Sequence, residues 1–131
     1  MKQVVTMIGE VEIFHIATID GDKPRVRPFG FIMDFEDKIY FTTGNKKDVY
    51  NQLKKNPHVE ISAMLEDGKW IRLSGKAVFD GNMKAKEKAF QIYPDFKNLY
   101  GTPDSPTFEV FYLESPSAVL YTFGQEPKKL L

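Results

Sequence analysis

"HVEISAMLEDGKWIRLSGKAVF", residues His58 to Phe79, decides the fold class. Val59, Ile61, Ala63 and Leu65 alternate with more polar neighbours, the period-two pattern of a strand with one buried face. Glu66-Asp67-Gly68-Lys69 interrupts the pattern with an Asp-Gly pair, which accepts the positive φ that a tight hairpin needs. The alternation then resumes. Ile71 and Leu73 face one way, while Trp70, Arg72 and Ser74 face the other. Two strands joined by so short a turn are antiparallel.

The same signals recur on both sides. Before it, Val4, Met7 and Ile8 share one face of a short helix closed by Gly9, and "EIFHIATI" reads as a strand. "DGDK" (Asp20 to Lys23) is a hairpin turn, and "PRVRPFGFIMDF" continues as one extended run. Its Pro24 and Pro28 suit an edge or irregular strand, since proline cannot donate to a ladder. "EDK" turns the chain again into the short strand "KIYFTT". Past Gly44 the period changes: Val49, Tyr50 and Leu53 have helical spacing, with Asn45 as the expected N-cap and Asn56-Pro57 as the stop. After Phe79, a helix runs from Asn82 to Tyr93, is broken by Pro94, and adds a turn around Phe96 and Leu99. "TFEVFYLE" and "SAVLYTF" read as a final pair of strands separated at Ser115-Pro116. The sum is a mainly β chain of about six antiparallel strands with short helices, expected to form one barrel-like domain over residues 1–131. A parallel sheet would need a helix between every pair of strands.

Composition narrows the function. At 131 residues the chain is long enough to bury about two-thirds of the surface its unfolded form exposes. Eleven Phe and six Tyr promise a well-packed core. Eighteen basic and eighteen acidic residues cancel, so no basic face attracts nucleic acid. The absence of cysteine removes disulfides, thiolate zinc sites and a cysteine nucleophile. With only His15 and His58, a multi-histidine metal site is not expected. The N-terminus lacks the apolar run of a signal peptide and no stretch is long enough to span a membrane, so a soluble, cytoplasmic protein is expected.

Three stretches carry candidate chemistry. "FTTGNKKDVYNQLKKNP", Phe41 to Pro57, places Thr42, Thr43, Gly44, Lys46 and Lys47 where a strand ends and a helix begins. A helix N-terminus offers unsatisfied N–H groups, so hydroxyls and lysines there suit a phosphate. Taken alone, the stretch fits an ordinary strand-to-helix turn with solvated lysines better. In "PRVRPFGF", Arg25 and Arg27 share a strand face and repel one another unless an anion or carboxylates neutralise them. Because this strand and "KIYFTT" are joined by a tight turn, they are expected to pair, bringing Arg27 towards Thr42 and Thr43. In "KWIRLSG", the lone Trp70 shares a face with Arg72, as an interface residue, a wall for a planar ligand or a cover over the barrel mouth. No serine triad, P-loop or dinucleotide fingerprint is present.

Together, "ATIDGDKPRVRPFGF", "IYFTTGNKKDVYNQLKKNPHVEISA" and "WIRLSGKAVF", in that order, resemble the pyridoxamine 5'-phosphate oxidase-like family of flavin-binding split barrels. "FEVFYLESPSAVLYTF" resembles the end of the branch that includes nitroimidazole-resistance proteins. The resemblance runs from about Ile16 to Tyr121. It implies a six-stranded split barrel acting as a homodimer, with FMN in clefts along the dimer interface. By position, it implies that Arg27, beside Arg25, contacts the phosphate and that Pro28 and Phe29 run along the isoalloxazine edge. Thr42 and Thr43 would line the flavin and ribityl region, with Lys46 or Lys47 completing the phosphate site. Trp70 and Arg72 would approach the flavin, from either subunit. Oxidases of the family carry a later tryptophan, and none follows Trp70 here, which turns the expectation from that oxidase activity to another FMN-dependent oxidoreductase acting on an unidentified small molecule. The alternatives are a non-catalytic flavin, deazaflavin or haem module, and a barrel with no small ligand.

Overall fold

A computed structural model describes all 131 residues. The chain order is α1 (Lys2–Gly9), β1 (Phe14–Asp20), β2 (Lys23–Phe29), β3 (Met33–Phe35), β4 (Lys38–Gly44), α2 (Asp48–Lys55), β5 (His58–Met64), β6 (Lys69–Phe79), α3 (Met83–Ile92), α4 (Phe96–Tyr100), β7 (Phe108–Thr122) and β8 (Lys128–Lys129). All pairings are antiparallel, in the order β2-β1-β5-β6-β7-β4-β3, with β8 added to β7. Six strands have seven residues or more, while β3 and β8 have three and two.

The hairpin that opened the sequence forms as its pattern dictates. β5 and β6 pair from His58↔Lys76 to Met64↔Trp70, and Val59, Ile61, Ala63, Ile71 and Leu73 are all buried. Asp67 and Gly68 take φ of 62° and 71° at the turn. These side chains join Phe14, Ile16, Ile39, Phe41 and Phe111 in the larger apolar cluster, onto which α1 packs Val4, Val5 and Ile8. A smaller cluster, Met33, Tyr40, Ala85, Ala89, Phe96, Phe108 and Val110, holds α3 and α4 against β4 and β7.

Three local expectations change. The extended run Pro24–Phe35 divides into β2 and β3, and β3, not β2, forms the hairpin with β4 through Glu36 and Asp37. Both turn residues have positive φ, the requirement of a two-residue hairpin. The final pair of strands is one strand, β7, which crosses the Ser115-Pro116 interruption with Ser115 at φ 52°. That irregularity sits opposite a register shift in β6 between Ser74 and Lys76. At Gly75, within the shift, a Cβ would lie 3.0 Å from Leu113 Cβ and 3.2 Å from the Glu114 carbonyl oxygen, so only glycine lets the strands approach. Finally, Asn45 does not cap α2. Its amide donates to the Pro106 carbonyl (2.7 Å) and to Glu109 Oε2 (2.9 Å), tying the turn to the start of β7, and Lys47 takes the cap position.

Candidate functional site

The expected pairing of β2 with β4 does not form: β2 pairs only with β1, as the edge strand its prolines predict. Arg27 nevertheless borders the same cavity as Thr42 and Thr43. The sheet curls so that β2 and β4, far apart in strand order, flank one cavity where no ladder bonds join them. That cavity measures about 620 Å³ and is bordered by Arg27, Pro28, Phe29, Gly30 and Phe31, by Thr42, Thr43, Lys47 and Val49, and by Tyr93, Phe96, Leu99 and Tyr100. Glu12 and Ile13 complete the rim.

Thr43 is only 3% exposed, and its hydroxyl has no hydrogen-bond partner within the chain. A buried hydroxyl left unpaired costs on the order of 1–3 kcal/mol, so its persistence beside a cavity points to a ligand that supplies the missing partner. Lys47 stands at the uncapped N-terminus of α2, where free backbone N–H groups and the helix dipole favour an anion. Lys46 is exposed and does not border the cavity.

Arg27 lies directly across from Ile16 on β1, on the face that points inward. Its side chain reaches past β1 to α2. Nη1 donates to Thr18 Oγ1 at 2.7 Å and Nη2 to Gln52 Oε1 at 2.5 Å, with a longer Nη1 contact of 3.5 Å to the Ile16 carbonyl. Burial lowers its pKa from the ordinary arginine value, and Asp48 opposes that shift. Arginine stays charged regardless. Arg25, by contrast, is paired with Asp20 at 3.0 Å and borders a separate polar groove of about 800 Å³ between the β1–β2 hairpin and α2, which Arg27 also touches.

Trp70 and Arg72 stand outside the cavity. Trp70 stacks on its cross-strand partner Tyr121 at 5.2 Å and 9°. Arg72 binds Glu60 at 3.1 Å and lies 5.5 Å over the same Tyr121 ring, and the Glu60 bond raises its pKa. Within one chain these two residues therefore do not join Arg27, Thr42, Thr43 and Lys47.

No motif in the sequence marks the α3–α4 wall. Tyr93, Phe96, Leu99 and Tyr100 close the cavity from the side, and Tyr93 and Leu99 are 45% and 69% exposed. The available signal was an apolar excess around Pro94 too dense for one buried helix face. Gly44 packs closely against this wall, for a Cβ there would stand 3.2 Å from the Tyr100 hydroxyl. Burial raises the Tyr100 pKa.

A family model described as pyridoxamine 5'-phosphate oxidase matches residues 1–118. Among solved structures, a NimC/NimA family protein from Clostridium acetobutylicum superposes with a TM-score of 0.91 at 38% identity, covering 99% of this chain and 93% of that one. A pyridoxamine 5'-phosphate oxidase-related, FMN binding protein from Nostoc punctiforme gives 0.67 at 14% identity, covering 97% and 91%. A heme binding protein from Mycobacterium smegmatis gives 0.76 at 13% identity, covering 98% of this chain but 57% of that one. The last two likenesses concern the fold alone. No curated protein matches the sequence significantly.

Proposed function

We propose, for a chain that belongs to the pyridoxamine 5'-phosphate oxidase family, that the cavity between β2 and β4 binds FMN and that the protein is an FMN-dependent oxidoreductase acting on a small molecule. The observation that carries the proposal is the buried, unpartnered Thr43 hydroxyl in a cavity that also gathers Arg27, Lys47 and Thr42 beneath an aromatic wall. The donor set suits the cofactor. Arg27 and Lys47 supply charge for a phosphate, Arg27 with a planar fork and Lys47 at a helix N-terminus. Thr42 and Thr43 supply hydroxyls for a polar ring edge or ribityl chain, and the backbone of Pro28 and Phe29 runs along the same rim.

Bound FMN would supply the capacity to take up and pass on hydride or electrons. The chain itself contributes binding and orientation. Phe29, Phe31, Tyr93, Phe96 and Tyr100 line the cavity with aromatic surface, which would limit water around a bound ligand and strengthen charge interactions there. No side chain is assigned as general acid or base. Flavin is favoured over haem because the cavity border holds neither His15 nor His58, and so offers no imidazole. A homodimer is part of the proposal, and Trp70 and Arg72 enter the site only if a second copy brings them there.

The test is the absorbance spectrum of the purified protein before and after incubation with FMN and desalting. Retained visible and near-ultraviolet flavin bands, with a rise in melting temperature, support the assignment. Ligand at a hundred times its dissociation constant stabilises a true binder by about 2.7 kcal/mol. A colourless protein with no thermal shift refutes it.

A further inference from the structure

Arg27 is held unusually for an arginine with a binding role. Its two terminal nitrogens are gripped by neutral acceptors on two different elements, Thr18 on β1 and Gln52 on α2. The triangle closes on itself, because the Thr18 hydroxyl also donates to Gln52 Oε1 at 2.6 Å. Thr18 is 2% exposed and both of its hydrogen-bonding roles are used, accepting from Arg27 and donating to Gln52. Gln52 Oε1 receives two donors, which fixes the amide orientation with its oxygen inward.

Charge makes this arrangement informative. The other two arginines of the molecule are each neutralised by a carboxylate, Arg25 by Asp20 and Arg72 by Glu60. Arg27, the most sheltered of the three, has none, and Asp48, whose charge reaches it, forms no ion pair with it. A carboxylate at position 52 would meet the same two donors and cancel the charge. Glutamine provides the same reach and the same acceptor oxygen without doing so.

We propose that Gln52 and Thr18 are positioning residues, neutral acceptors that lock the Arg27 guanidinium in place while leaving its positive charge for the phosphate of the ligand. The inference rests on the FMN assignment above and adds two residues that assignment does not use. Gln52→Glu is then the informative variant. It keeps the size and the acceptors, yet converts Arg27 into a third internal ion pair.

Fluorescence titration of the full-length protein with FMN and with riboflavin, which lacks the phosphate, tests this directly. Gln52→Glu is expected to weaken FMN binding about tenfold or more, the scale of one hydrogen bond to a charged group, while riboflavin changes by less than about threefold. Thr18→Val is expected to show the same FMN-selective loss, and Thr18→Ser to restore affinity because it returns the hydroxyl. Equal losses for both ligands would mean a structural role only and overturn the inference. So would an unchanged FMN affinity in Gln52→Glu. Should the wild-type protein bind neither ligand, the FMN assignment itself fails and the inference with it. If Gln52→Glu does not fold, the Thr18→Val and Thr18→Ser pair carries the same decision.

Discussion

Arg27 and Arg72 project from opposite faces of the sheet and have opposite fates. Each projects from a strand beside an aromatic-rich surface. On the β5–β6–β7 side, Arg72 is joined to Glu60 and lies on Tyr121, which in turn stacks on Trp70. There the guanidinium charge is neutralised within the chain and the rings stack on one another. On the β2–β4 side, Arg27 has only neutral partners, the Thr43 hydroxyl has none, and the sheet leaves a cavity between them. Residue type alone separates a site from a decorated surface poorly. Unmet capacity separates them well, because folding tolerates an unpaired buried donor or an unneutralised guanidinium only where something else offsets its cost.

The sharpest way to break this comparison is to truncate both arginines. Arg27→Ala should weaken FMN binding by roughly 1.5–3 kcal/mol, about tenfold to a hundredfold, with the apo protein still folded by circular dichroism. Arg72→Ala should leave the affinity of a single chain's cavity unchanged. If the two variants behave alike, or if Arg72 proves the larger, the site spans both regions through a second copy, and size-exclusion chromatography with light scattering will show it.

A second variant probes the satisfied side by backbone alone. Gly75→Ala forces a Cβ against Leu113 and Glu114 across the β6–β7 register shift, and should cost about 1–3 kcal/mol in urea unfolding. FMN affinity per folded molecule should not move. Tyr40 offers a pH-resolved test of the junction between the regions. Its buried hydroxyl donates to Asp80 Oδ2 at 2.8 Å, and burial, with Asp80, raises its pKa well above the usual tyrosine value. A raised folded-state pKa means that the stabilisation is complete below the unfolded value, about 10, and is lost as pH climbs beyond it. Stability should therefore fall steeply in the alkaline range, and Tyr40→Phe should flatten that fall while costing about 1–2 kcal/mol at neutral pH.

Thr43→Val should act in the opposite sense. Replacing an unpartnered buried hydroxyl by a methyl group should stabilise the apo protein by about 1 kcal/mol while weakening FMN binding. A loss of apo stability would show that the hydroxyl has a partner after all. The smallest effect is expected for the Arg72–Glu60 pair. Both members are about half exposed, so Glu60→Gln should change stability by no more than about 0.5 kcal/mol.

Local sequence determined most of the secondary structure. The Val59–Leu73 alternation, the Asp-Gly turns, the break at Pro94 and the edge character of the Pro24–Pro28 strand are properties of a few neighbouring residues, and each survives in the structure. Arg27, Pro28, Phe29, Thr42, Thr43 and Lys47 border the cavity whereas Arg25, Lys46, Trp70 and Arg72 do not, and that arginine, threonine and lysine suit an anion was legible in the sequence. Their arrangement was not. Arg27 shares a cavity with Thr42 and Thr43 because the sheet curls, not because their strands pair, and Lys47 borders the cavity while Lys46 does not. Gln52 and the Tyr93–Tyr100 wall were not legible because a glutamine on a helix or an aromatic after a proline carries no meaning until distant segments approach it. Strand and turn preferences act over two to five residues. Curvature, register and the satisfaction of buried polar groups depend on contacts tens of residues apart, and only the folded chain decides those.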